Sequence, residues 1–91
     1  MQNEELTIIA PEELTVVQKV ELEKLIKEYA RIRKRKVDGV KRIAYPIQGR
    51  DRGLYLYYEL SMEPSAVPTL SSKLNINDNI MRYLLVRQDN R

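Results

Sequence analysis

Alternation between apolar and polar positions is the clearest pattern in the chain. Over residues 54–62 every second residue is Leu, Tyr or Met, and this period of two predicts a β-strand with one buried face. The apolar run Leu6–Ala10 predicts an earlier strand. The segments Arg31–Gln48, with its centre at Lys41–Ile47, and Ile80–Arg87 predict the remaining two strands.

A period close to 3.6 residues predicts a helix from Thr15 to about Ala30. Its apolar residues share one stripe, formed by Leu22, Leu25, Ile26 and Tyr29. Thr15 and Gln18 match a capping box, in which each side chain accepts the other residue's backbone N–H. The predicted helix therefore starts at a defined residue.

A second, shorter helix is predicted up to Leu74. Pro68 is tolerated only in a first helical turn, which makes Ser65 the expected N-cap residue. The residues expected to face the core are Val67, Leu70 and Leu74. Segment 49–53 predicts a hairpin turn, and segment 75–79 predicts a loop before the last strand.

The resulting order, β-α-β-β-α-β, predicts an α+β fold. With right-handed crossovers it forms a ferredoxin-like sandwich: a four-stranded antiparallel sheet, ordered four-one-three-two, with two helices on one face. Pro46 cannot donate to a ladder, and this order makes its strand an edge. Gly39 indicates a bulge. We expect residues 1–91 to form one domain, with residues 88–91 as a frayed tail.

Composition excludes several function classes. The chain contains neither His nor Cys, so the usual general base and nucleophilic pairs for an enzyme are missing. It has no clustered Asp pattern and no glycine-rich phosphate loop, so we expect no metal and no cofactor. No apolar run approaches the ~20 residues of a membrane helix, and the N-terminus does not resemble a signal peptide. We therefore expect a cytoplasmic protein.

Positive charge is concentrated in one stretch. Residues 31–52 hold nine basic and two acidic residues, whereas residues 1–30 hold three basic and seven acidic residues. Such a patch points to a polyanion partner. The predicted RNA-binding residues are Arg31, Arg33, Lys34, Arg35, Lys36, Lys41, Arg42, Arg50 and Arg52. A solvated face and charge protection of an edge strand are the alternatives.

Side-chain direction can be predicted for part of this patch. If the segment is a regular strand, Arg31, Arg33 and Arg35 share one side, and Lys34 and Lys36 the other. Three tyrosines are predicted to contact a partner: Tyr45, Tyr55 and Tyr57. Surface aromatics beside a basic strand can pack against a protein or stack on bases.

Two segments carry a family resemblance. Gly39–Ile47, with the sequence GVKRIAYPI, resembles the signature of the bacterial small-subunit ribosomal protein six family, with Ile43 in place of leucine. Asn75–Arg87 is similar to that family's closing segment. The resemblance covers nearly the whole chain in the right order. Glu4 stands where the family usually has tyrosine, and Pro68 interrupts a helix that is usually free of proline.

The resemblance implies a structural constituent of the small ribosomal subunit and not an enzyme. It implies binding to the central domain of small-subunit ribosomal RNA together with ribosomal protein eighteen. It also implies a ribosome-bound cytoplasmic location, with no membrane contact, no small-molecule substrate and no cofactor.

Other functions use the same topology. An RRM-type reader would need aromatics on strand one, which has none, and an acylphosphatase-like enzyme would need a phosphate-binding loop where Glu12 and Glu13 lie. A ferredoxin-like small-molecule sensing or protein-interaction module is the main alternative, and it would leave the basic patch without a role.

Overall fold

The computed structural model describes residues 1–88, and the secondary-structure elements follow the predicted order. The strands and helices are β1 (Gln2–Ala10), α1 (Val16–Lys27), β2 (Arg31–Ile47), β3 (Arg50–Met62), α2 (Val67–Asn75) and β4 (Arg82–Arg87). Gln88, the first residue of the predicted frayed tail, donates its N–H to the Asn3 carbonyl at 2.8 Å. Residues 89–91 of that predicted tail lie outside the described residues.

The sheet confirms the predicted topology. Its strand order is β2-β3-β1-β4, and each neighbouring pair is antiparallel. β2 is an edge strand, as Pro46 indicated. The register along β2 shifts between Val37 and Gly39, where φ is 88°, so the predicted bulge at Gly39 is present.

The core lies between the sheet and the two helices. Its buried residues come from β1, β3, α1 and α2: Leu6, Ile8, Ala10, Leu22, Ile26, Leu56, Tyr58, Leu60, Met62, Leu70 and Leu74. The Tyr58 hydroxyl donates to Glu23 Oε2 at 3.0 Å. Burial, and then the Glu23 carboxylate, raises the pKa of Tyr58 above its usual range. The buried hydroxyl is thus satisfied by an acid on α1.

Helix α1 begins as predicted. The Gln18 N–H donates to Thr15 Oγ1 at 3.1 Å, and the Thr15 N–H donates to Gln18 Oε1 at 3.0 Å. Both bonds of the capping box are therefore formed. Leu22 and Ile26 are buried, whereas Val16 in the first turn is 79% exposed.

The predicted cap of α2 is wrong. Ser65 lies in a 3₁₀ turn, Pro64–Ala66, and α2 follows it with Ala66 at the N-cap position and no side-chain cap. Pro68 lies in the first helical turn, as predicted, where its missing N–H has no intrahelical partner to lose. The 3₁₀ turn therefore leads directly into α2, which begins without a side-chain cap.

The predicted hairpin turn also needs correction. The turn consists of Gln48 and Gly49, and Ile47 pairs with Arg50, so residues 50–53 belong to β3. Both turn residues have positive φ, 53° and 75°. Two-residue hairpin loops with positive φ match the twist of the flanking strands, which is why the turn closes here and not further along.

Candidate nucleic-acid interface

The basic residues of β2 do not alternate as a regular strand would. Ile32 pairs with Leu60, but the next pair is Lys34 with Glu59, so Arg33 is an extra residue in a bulge. This insertion shifts the alternation by one residue. Arg31 and Arg35 therefore lie on opposite faces of the sheet. The prediction that Arg31, Arg33 and Arg35 share one side of the strand is wrong.

Four basic residues of β2 project to the face without helices: Arg31, Lys34, Lys36 and Lys41. Lys34 lies 3.9 Å from Glu59, and Lys36 lies 3.4 Å from Asp38. The two lysines are 65% and 66% exposed, and ion pairs of such exposed side chains contribute about 0–1 kcal/mol. The lysines therefore remain available to another anion.

Three arginines of the predicted set lie on the helix side and form ion pairs. Arg35 lies 3.3 Å from Glu23, Arg50 lies 2.7 Å from Glu13, and Arg52 lies 3.7 Å from Glu12. The hydrogen bond from Arg50 lowers the pKa of the Glu13 carboxyl. These arginines connect the β2–β3 hairpin to α1 and to the loop before it, so they already have partners within the fold.

Arg31, Arg33 and Arg42 have no ion-pair partner among residues 1–88. Arg31 and Arg33, with Ile32 and Ser61, line a surface depression of about 390 Å³. Arg42 lines a second depression of about 390 Å³ near the hairpin end, with Asp51 and Arg52. These three arginines thus form two groups, one near each end of β2, and Lys41, which also has no ion pair within residues 1–88, is next to Arg42 in the sequence.

The three predicted partner tyrosines occupy two places. Tyr55 and Tyr57 lie on the face without helices and are partly buried. The Lys41 ammonium lies 5.5 Å from the centre of the Tyr55 ring, and the Tyr57 hydroxyl donates to Glu5 at 3.0 Å. Tyr45 is 78% exposed and lies near the hairpin end, so the three do not form one group.

A third bulge of β2 holds Tyr45. Arg42 pairs with Arg52 and Ile47 pairs with Arg50, so four residues, 43–46, lie opposite Asp51 alone. Within this segment Ile43 is 5% exposed, in contrast to Tyr45.

Gly53 makes room for the buried end of that bulge. A Cβ at Gly53 would lie 2.6 Å from Ile9 Cγ2 and 3.3 Å from Ile43 Cδ1. The absence of a side chain at Gly53 therefore lets Ile43 pack close to the sheet.

Two apolar residues on the open face were missed at the level of sequence. Leu84 is 61% exposed and Val86 is 44% exposed, and they pair with Thr7 and Glu5 of β1. The signal was present, because β4 has apolar residues on both faces and not only at alternate positions. Antiparallel edge strands that are apolar on both faces indicate a covered surface.

Glu4, the departure from the family pattern, is buried. It is 2% exposed and accepts a hydrogen bond from Gln2 Nε2 at 2.7 Å. A residue so enclosed does not contribute a surface charge to the basic edge. Glu4 therefore belongs to the packing of the β1 terminus.

Comparison with known proteins decides the family. The sequence model described as ribosomal protein S6 matches residues 4–87. The chain belongs to the ribosomal protein S6 family. It is therefore a structural protein of the small ribosomal subunit and not an enzyme, and RNA binding is a general property of this family.

Relatives of the chain match over most of their length. Small ribosomal subunit protein bS6 of Corynebacterium jeikeium is 35% identical over 92 aligned positions, which cover 97% of each chain. The same protein of Corynebacterium aurimucosum is 37% identical over 70 positions, covering 77% of this chain and 73% of the relative.

A solved structure supports the fold of this ribosomal protein S6 family member. The crystal structure of 30S ribosomal protein S6 from Thermotoga maritima superposes with a TM-score of 0.82. It covers 96% of this chain and 87% of the other chain, at 19% sequence identity. The ferredoxin-like α+β fold predicted from the sequence is confirmed.

No helix within the described residues is long and apolar enough to cross a membrane. No group of three or more acidic, His or Cys residues within residues 1–88 is arranged to hold a metal ion.

Proposed function

We propose that this chain binds the central domain of small-subunit ribosomal RNA together with ribosomal protein eighteen. It does so as one ferredoxin-like domain, in the cytoplasm, without a cofactor, a membrane or a small-molecule substrate. The observation that carries the proposal is the pair Arg31 and Arg33, two cations beside one depression on the edge strand that have no ion-pair partner within residues 1–88. Family membership supports it independently.

Phosphate is the anion that suits this depression best. Arginine guanidinium groups form bidentate hydrogen bonds with phosphate oxygens. The bulge places Arg33 outside the regular ladder, so its side chain is not committed to a cross-strand neighbour. RNA recognition would then depend mainly on phosphate contacts and on RNA shape.

The other predicted RNA-binding residues fall into two classes. Lys34, Lys36 and Lys41 extend the basic surface on the open face and can exchange their weak contacts for phosphate. Arg42 supplies a cation at the hairpin end. The remaining arginines, Arg35, Arg50 and Arg52, have carboxylate partners within the fold, so a phosphate would have to replace a carboxylate at each of them.

The open face of the sheet is the proposed contact for ribosomal protein eighteen. It presents Tyr55 and Tyr57, and on β4 the exposed side chains of Leu84 and Val86. Thr7, Ile9 and Leu84 are among the residues that line a mainly apolar groove of about 200 Å³ on this face. Exposed apolar surface rimmed by charged residues is typical of a protein–protein contact.

The RNA contact is tested by titrating a central-domain RNA fragment with protein at several salt concentrations. The double variant Arg31→Gln/Arg33→Gln should bind more weakly, with a salt slope reduced by about 1.5, as expected for two lost phosphate contacts. The control Lys24→Gln/Lys27→Gln removes the same charge from exposed positions on α1. Equal slopes for the two double variants would contradict the assignment to Arg31 and Arg33.

The protein contact is tested by calorimetric titration with purified ribosomal protein eighteen. Leu84→Ser/Val86→Ser should weaken this association, because it removes apolar area from the proposed contact. Val16→Ser/Val17→Ser is the matched control, since both valines are exposed on α1 at 79% and 66%. Failure of the wild type to bind either the RNA or the protein would favour a ferredoxin-like sensing or other protein-interaction module instead.

A further inference from the structure

Tyr45 is exposed to solvent, whereas Ile43, in the same bulge, is buried. Ile43, two residues earlier, is 5% exposed and packs in the space left by Gly53, while Tyr45 is 78% exposed. Pro46 restricts the backbone immediately after Tyr45. The pairing of Ile47 with Arg50 then closes the segment. The exposed aromatic ring thus lies between a buried residue, Ile43, and a residue in the strand ladder, Ile47.

The hairpin end that carries Tyr45 forms two ion pairs with the loop before α1. Arg50 is held by Glu13 at 2.7 Å and Arg52 by Glu12 at 3.7 Å, so the strand opposite the bulge is tied to the loop before α1. Restricting a side chain before binding lowers the entropy lost on association. The two ion pairs, although exposed, restrict the hairpin end that carries the Tyr45 ring.

The surroundings of Tyr45 favour a nucleic acid over a protein. Its neighbours at positions 44, 46, 48 and 49 are exposed, and none of them belongs to the large exposed hydrophobic side chains. The exposed apolar neighbours of Tyr45, Ala44 and Pro46, are small, whereas a protein contact typically involves several large apolar side chains. Arg42, a cation without an ion pair in the described part of the chain, lies three residues before Tyr45.

We propose that Tyr45 is a stacking platform for an unpaired nucleobase of the bound RNA, with Arg42 on the adjacent phosphate. Unpaired bases in RNA loops and bulges stack on exposed tyrosine rings, and neighbouring arginines bind the backbone. The inference rests on the proposed function, and it adds a contact to a base where the basic edge supplies contacts to phosphate. It assigns Tyr45 to the RNA and not to the protein partner that the sequence suggested.

The stacking contact has a signature that differs from a phosphate contact. A tyrosine ring is neutral, so its contact with a base releases no counterions from the RNA. Removing the ring therefore leaves the number of released counterions unchanged. Tyr45→Ala should weaken RNA binding about 5- to 150-fold, as alanine substitution of a base-stacking residue does. The slope of affinity against salt concentration should stay that of the wild type. Tyr45→Phe keeps the ring and should bind like the wild type.

The experiment uses central-domain RNA with ribosomal protein eighteen present and measures affinity at several salt concentrations. In parallel, 2-aminopurine replaces single unpaired adenines of the RNA, and its fluorescence reports stacking. We expect one position to be quenched by the wild type and by Tyr45→Phe but not by Tyr45→Ala. Val17→Ala is the control for loss of an exposed apolar side chain, and a thermal melt checks that each variant is folded.

Two results would overturn the proposal while leaving the proposed function intact. One is wild-type affinity of Tyr45→Ala for the RNA. The other is a loss of affinity of Tyr45→Ala for ribosomal protein eighteen in the absence of RNA, which would make Tyr45 a protein contact. Absence of salt-dependent RNA binding by the wild type would instead overturn the proposed function, and the stacking site with it.

Discussion

The guanidinium of Arg50 and the carboxylate of Glu13 lie 2.7 Å apart, although 37 positions separate them in the chain. The contact closes the β2–β3 hairpin against the loop before α1. Glu13 occupies the place that a phosphate would take on Arg50. An acid of the protein would therefore compete with RNA for an arginine that the sequence predicts to bind RNA.

Removing this competition should strengthen RNA binding. Glu12→Gln/Glu13→Gln frees Arg50 and Arg52 and removes two negative charges beside the basic edge, so affinity for the RNA should rise about three- to tenfold at low salt. Glu21→Gln/Glu28→Gln removes the same charge from exposed positions of α1. An equal gain for the α1 variant would show that net charge, and not the ion pairs, controls binding.

Arg33 and Arg35 should behave differently despite their similarity in sequence. Arg35 lies 3.3 Å from Glu23, which also accepts a hydrogen bond from Tyr58, so Arg35→Gln should lower the free energy of unfolding by about 1 kcal/mol. The salt slope of its RNA binding should change little. Arg33→Gln should leave the free energy of unfolding nearly unchanged and should reduce the salt slope of RNA binding. Urea unfolding and RNA titration of both variants check this, and identical behaviour would contradict the bulge at Arg33.

The turn between β2 and β3 should be improved by one substitution. Gln48 has a φ of 53°, and an L-residue other than Asn or Asp is disfavoured in that region by about 1–2 kcal/mol. Gln48→Asn should therefore stabilise the protein by about 0.5–1 kcal/mol, because Asn-Gly is a preferred two-residue hairpin turn.

A matched substitution tests the same turn in the other direction. Gly49 has a φ of 75°, and a Cβ there would meet nothing within 4 Å. Gly49→Ala should destabilise the protein by about 1 kcal/mol through the backbone alone. Urea midpoints measure both changes, and a lower midpoint for Gln48→Asn would contradict the turn geometry.

Alkaline pH should expose the contribution of Tyr57. Burial, and then the hydrogen bond to Glu5, raises the pKa of Tyr57 from 10.0 to about 12. The folded protein holds this proton more tightly than the unfolded chain does. The stability that this difference contributes is therefore complete below pH 10 and is lost as pH rises through about 12.

Tyr57→Phe isolates this effect from the other groups that titrate at high pH. The free energy of unfolding of the wild type should fall more steeply over this interval than that of Tyr57→Phe. Phenolate absorbance should show one late titration in the wild type that the variant lacks. Parallel stability curves for the two proteins would contradict the assignment to Tyr57.

Local interactions explain what could be predicted. The capping box of Thr15 and Gln18 joins residues three positions apart, and both of its bonds form. The alternation over residues 54–62 and the missing donor of Pro46 likewise act within one strand. These features determined the order of elements, the buried face of β3 and the edge position of β2, and with them the ferredoxin-like fold.

Only the tertiary structure decided how the basic edge is arranged. The bulge at Arg33 arises from the register of β2 against β3, and the ion pairs of Arg35, Arg50 and Arg52 join distant parts of the chain. Ile43 packs against Gly53, where Ile9 of the neighbouring strand β1 also leaves no room for a Cβ. Charge content is a property of sequence, but which charges remain without partners depends on packing between segments that have no local relationship. The sequence by itself therefore located the basic edge, and the fold determined which of its cations form ion pairs, leaving Arg31, Arg33, Lys41 and Arg42 without one among residues 1–88.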